Sequence, residues 1–232
     1  MRVRLAIEKT QELGVLCWAL DYPGCFTHGE DDAEAIITMP QALLRHEAWV
    51  NLHTDTPWFQ LADMDFHVEE AFEAYFSEPD YEVNAFFQDD LRPLSSTEID
   101  QALLLHRWQR EELLAGVETL PPNQLTARFP GQRWTILGIL KHIAKVEYWY
   151  LGQIRDDLPP LPLEEASSFG WLNFTYAQVR QWLPTLANDD RVRTQRGEQW
   201  SPRKVVRRLL WHQRDHIGHI QQLAFLPQDE NP

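Results

Sequence analysis

The chain has 232 residues, a formal charge of −14, 44% apolar residues and ten tryptophans. That length and apolar content suit one large or two small cored domains and exclude a disordered chain, while the acidity argues against a coat for nucleic acid or an anionic membrane. No apolar run approaches the ~20 residues of a spanning helix, no signal-peptide pattern opens the chain, and Cys17 and Cys25 are too few for a disulfide framework or a four-thiolate zinc site. The expectation is a soluble, cytoplasmic protein with no membrane and no nucleic-acid partner.

Charge divides the chain in two. Residues 1–90 hold 4 Lys and Arg against 19 Asp and Glu, and residues 91–232 hold 17 against 16. We therefore expect one module over 1–90 and another over 91–232, in an α+β two-domain chain. In the first, Val3, Leu5 and Ile7 alternate with Arg2, Arg4 and Glu8, the period-2 pattern of a half-buried strand. Val15 to Leu20 suits a hairpin partner after the turn at Gly14. Asp21-Tyr22-Pro23-Gly24 is turn chemistry, and Gly29 closes a further short segment. Asp31 or Asp32 caps a helix from Ala33 to about Leu52 with a kink at Pro40. Residues 66–72 and 82–87 alternate as strands do.

The run Asp21-Tyr22-Pro23-Gly24-Cys25-Phe26-Thr27-His28-Gly29, followed by Glu34-Ala35, resembles the HicB antitoxin family over roughly residues 1–52. The resemblance implies a small sheet-plus-helix module that docks a protein partner or dimerises. No basic recognition element follows, so nucleic-acid binding by this module is not expected.

From residue 95 the periodicity becomes helical. Ser95-Ser96-Thr97-Glu98 is a capping box opening a helix to about Val117, with Ile99, Leu103, His106, Arg110 or Leu113, and Val117 on its inner stripe. A second helix spans Thr135 to about Ile154, and a third about 174–187, disturbed at Pro184. A fourth opens on Ser201-Pro202 and runs to about Phe225. Four such helices imply a four-helix bundle. Arg203, Lys204, Arg207 and Arg208 read as a solvated face or as partners for the acidic module. Most aromatic side chains, Tyr148, Trp149, Tyr150, Trp171, Trp182, Trp200 and Trp211 among them, read as core or interface, which also points to a homodimer.

Stepping along the fourth helix by four and three gives Val205, Leu209, His212, His216, His219 and Leu223, a seam facing the core. Three successive imidazoles there, without partners, cost several kcal/mol in desolvation, and a metal ion is the simplest common partner. His212 and His216 lie one turn apart, about 6 Å along the axis, whereas His212 and His219 are about 10.5 Å apart. One ion therefore takes an adjacent pair plus a ligand from another helix, with His142 the first candidate and His106 the second. Gln213 stands where H-E-x-x-H needs its Glu, so a zincin is excluded. Asp215 is a candidate to steer an imidazole, though a solvated surface Asp is the simpler reading. Glu147 reads in the same way, with a solvated surface acid the simpler reading, and is assigned no role.

Trp134-Thr135 leading to Leu140-Lys141-His142, then Trp200-Ser201 leading to His212-Gln213-Arg214-Asp215-His216-Ile217-Gly218, resemble the DinB superfamily over about 95–225. The resemblance implies a four-helix bundle with His142, His212 and His216 as ligands to zinc or nickel, His219 in the wall of the site, and a thiol or other small-molecule substrate. The expected activity is metal-dependent thiol transfer or hydrolysis. The alternative is a non-catalytic binding or scaffold protein in which the HicB-like module docks a protein partner.

Overall fold

A computed structural model describes residues 1–11, 13–162, 164 and 166–225. The chain is α+β and packs as two units: Met1–Leu94 with Asp189–Arg207, and Ser95–Asn188 with Arg208–Pro232. Residues 189–207, expected within the 91–232 module, group with the N-terminal residues. No helix among the described residues is long and apolar enough to cross a membrane.

In the first unit, β1 (Arg2–Lys9), β2 (Val15–Ala19) and β3 (Phe26–Gly29) form an antiparallel meander. Helix α1 (Asp32–Asn51) follows, and β4 (Asp65–Glu73) returns parallel to β1, giving the order β3-β2-β1-β4. The cap is Asp31, which accepts from the Glu34 N–H, and α1 continues through Pro40 to Asn51. Val3, Leu5 and Ile7 meet Val15, Cys17 and Ala19 on one sheet face, under Ala35, Met39 and Leu43 at four-residue steps along α1. Gly29 has to be glycine: a Cβ there meets the Ala35 nitrogen at 2.5 Å.

The half-buried reading of β1 needs correction. Glu8 is fully buried, accepting from Trp18 Nε1 at 3.1 Å and from the Ala85 N–H at 2.9 Å. Residues near 85 cover the second sheet face, and these two donors satisfy the carboxylate they bury. The strand expected over 82–87 is only Tyr81–Val83 (β6), paired with a strand that went unread, Tyr75–Glu78 (β5).

A second unexpected hairpin joins β7 (Arg193–Gln195) to β8 (Glu198–Trp200) through Arg196 and Gly197, with φ of 50° and 84°. Positive φ at both turn positions suits the right-handed twist of a two-residue hairpin, but Arg-Gly lacks the usual Asn-Gly signal. The hairpin is held against β5–β6 by Arg196, which pairs with Glu78 at 2.5 Å and Asp80 at 2.9 Å, and by Ser77 bonding the Arg196 carbonyl.

The basic start of the last helix, α6 (Pro202–Ala224), is not a solvated face. Lys204 is fully buried and donates to Glu198 at 2.6 Å and to the carbonyls of Asn84 and Gln199, while Tyr81 donates to the other Glu198 oxygen at 2.6 Å. Arg207 pairs with Asp90 at 2.6 Å. Every donor of the ammonium is used, as a buried lysine requires.

The described residues of the second unit supply four long helices: α2 (Ser96–Glu118), α4 (Ile136–Gly152), α5 (Ser168–Trp182) and the later turns of α6, with the short α3 (Pro122–Thr126) after α2. Ser95 and Glu98 form the expected capping box, and Thr135 caps α4 by accepting from the Gly138 N–H. α5 begins six residues before the expected start, because the Ser167 hydroxyl accepts from the Gly170 N–H at 3.0 Å and sets the terminus there. Ile136, Ile139, Leu140 and Ile143 of α4 pack with Leu113, Val117, Leu172, Ile217, Ile220 and Leu223 in the core.

Candidate metal centre

His142 of α4 and His212 and His216 of α6 come together with their candidate ligand nitrogens all within 4.8 Å of one another. His212 Nε2 lies 3.1 Å from His142 Nε2 and 3.1 Å from His216 Nε2. A tetrahedral ion with bonds of about 2.05 Å to nitrogen has ligand atoms about 3.3 Å apart, so the spacing suits one small cation. Among the described residues, the Nδ1 atoms of His212 and His216 are buried without a protein hydrogen-bond partner. If they carry the ring protons, the Nε2 lone pairs converge on a common point, where mutual repulsion is relieved by a shared positive charge.

The surroundings keep the imidazoles neutral, the form that binds metal. Burial, then the neighbouring His216, His142 and Arg208, push His212 well below the usual imidazole range. Burial and His142 push His216 down to about 4, against a smaller opposing effect of Asp215. His142 is lowered by burial and by Arg133. Trp134 stacks on His142 with ring centroids 4.4 Å apart, and Tyr150 meets His212 edge-on at 6.0 Å.

The other two candidate histidines lie elsewhere. His219, at the edge of the seam, shares a 2.8 Å hydrogen bond between its Nε2 and Gln132 Oε1, and its ring centroid is 5.8 Å from that of His216. The seam turns between the two: Ile217, Ile220 and Leu223 face the core beyond His216, so three histidines do not share one buried face. His106 belongs to a separate polar layer.

That layer is the largest departure from the sequence reading. Glu147, taken as a surface acid, is 1% exposed. It accepts from His106 Nε2 at 3.0 Å, from Thr175 Oγ1 at 2.7 Å and from Arg110 Nη2. Arg110 also donates to Gln213 Oε1 at 2.8 Å and to the Leu172 carbonyl at 2.9 Å. Gln213 in turn donates to the His106 carbonyl at 3.1 Å. All four long helices contribute. Burial alone raises the Glu147 pKa, but Arg110 and His106 overcome it and hold the carboxyl at about 2. Burial lowers His106, so it is neutral and donates its Nε2–H. The signal for Glu147 was in its spacing: it falls on the buried stripe Ile136, Ile139, Ile143 and Tyr150 of α4.

A sequence model of the DinB superfamily matches residues 105–220, half of the chain. The chain belongs to the DinB superfamily. Comparisons with curated proteins and with solved structures give no match. The DinB domain thus covers the three clustered histidines and the whole of the Glu147 layer, and leaves the β-rich N-terminal segment outside the matched region.

Proposed function

We propose that the DinB domain holds one divalent ion, zinc or nickel, on His142, His212 and His216, and acts on a small molecule there. The activity we assign is metal-dependent transfer to or from a low-molecular-weight thiol. The observation that carries this reading is the convergence of three neutral imidazole nitrogens from two helices. A divalent ion on three neutral ligands keeps its charge and an open position, and lowers the pKa of a bound water or thiol.

The chain's own residues prepare that position. Burial holds the imidazoles unprotonated near neutral pH, and Trp134 fixes the plane of the His142 ring. Gln213 and Glu147 are unsuited to act as a general base: each is buried and committed to partners in the polar layer. A thiol that loses its proton on binding fits a site with this donor set better than a reaction needing a carboxylate base. For the N-terminal unit we propose a HicB-like docking or dimerising role, supported by its hairpin–strand–helix order and the close approach of Gly29 to α1.

The test is metal content of the purified full chain, measured by mass spectrometry after loading with zinc or nickel and desalting. We expect about one equivalent per chain in the parent and a loss of most of it in His142→Ala, His212→Ala and His216→Ala. An unchanged stoichiometry in folded His216→Ala, or a parent that binds no metal, overturns the reading.

A further inference from the structure

The segment before α4 is anchored on both sides of one arginine. Gln132 is tied to His219 of α6 at 2.8 Å, and Trp134 lies on the His142 ring at 23° between planes. Between them Arg133 is exposed, with its guanidinium carbon 4.9 Å from the centroid of the Trp134 ring. Among the described residues no carboxylate pairs with it. Two short steps, Arg133 onto Trp134 and Trp134 onto His142, therefore link a cation with no carboxylate partner among the described residues to the three-histidine centre.

We propose that Arg133 recognises a carboxylate on the small molecule that binds at the three-histidine centre. This rests on the metal-centre reading and deepens it by naming a substrate class: a ligand with a metal-binding head group and, a few bonds away, a carboxylate. A single guanidinium fork matches the two oxygens of one carboxylate, and stacking on Trp134 restricts where the fork points. The anchors Gln132 and Trp134 limit how far the arginine's backbone moves from the site.

The experiment uses the full chain loaded with cobalt(II), whose visible and near-ultraviolet bands report sulfur binding directly without turnover. The probes are mercaptopropionate and mercaptoethanol, which share the thiol and differ in the remote carboxylate. Arg133→Gln is expected to weaken mercaptopropionate about tenfold, the scale of one charged hydrogen bond, and to leave mercaptoethanol unchanged. Arg133→Lys, keeping the charge but not the fork, is expected to fall between. Loaded Arg133→Gln that binds both probes as the parent does, or loses both equally, overturns the Arg133 assignment alone. A parent chain that takes up no cobalt overturns this inference together with the metal-centre reading, and the two failures are thereby told apart.

Discussion

Replacing Glu147 with Gln tests the buried polar layer most directly. The change keeps the shape of the side chain and removes its charge. Arg110 is left 4% exposed, with Gln213 and the Leu172 carbonyl as acceptors and no counter-ion among the described residues. The new amide also places an N–H₂ where His106, Arg110 or Thr175 donates. Removing one partner of a buried pair costs about 3–5 kcal/mol, because the other charge stays desolvated. For a chain of this size that is a fall in melting temperature of roughly 10 °C. The assay is urea unfolding followed by far-ultraviolet circular dichroism. Glu112→Gln serves as control, since Glu112 pairs with Arg214 where both side chains are about one-third exposed. Its expected cost is under about 1 kcal/mol. The double replacement Arg110→Met with Glu147→Met should cost less than the sum of its single changes, as coupled sites do. A Glu147→Gln chain within 1 kcal/mol of the parent, or single costs that simply add, refutes the reasoning.

Two further predictions follow from the same physics. Glu147 is held at about 2 in the folded state against an ordinary value of 4.5, so the unfolded chain takes up its proton first as pH falls. Its stabilisation is present above about pH 4.5 and is lost toward pH 2, a span worth about 3 kcal/mol. His106, kept neutral by burial, acts in the same direction below its ordinary value of 6.5, because only the unfolded chain gains that proton. Urea midpoints should therefore decline from neutral pH to pH 3, and less steeply at the acid end in Glu147→Gln; parallel profiles would contradict the assignment. In the first unit, Lys204→Met leaves the fully buried Glu198 with only Tyr81 as a side-chain donor among the described residues. We expect a loss of about 3–5 kcal/mol, read as faster proteolysis within residues 75–83 and 193–200, and a protection pattern equal to the parent's would count against it.

Local signals were legible wherever a short stretch carried its own reason. The Ser95–Glu98 capping box, the acidic cap of α1, the β1–β2 strand pair and the Ser201-Pro202 start of α6 all act within a few residues. The metal-site candidates were legible for the same cause: His212 and His216 are one turn apart on a helix, and the family pattern pointed to His142. What the chain order concealed were pairings between distant residues. Glu147, on an apolar stripe, becomes intelligible only when Arg110, His106 and Thr175 arrive from two other helices to satisfy it. Lys204 and Arg207 read either as a solvated face or as partners for the acidic module, and only the placement of Glu198, Tyr81 and Asp90 decides between the two. Sequence by itself determined the periodicities, caps and histidine spacing, because these depend on neighbours along the chain. Only the tertiary structure decided which charges are buried, since desolvation and its compensation depend on partners supplied by distant segments.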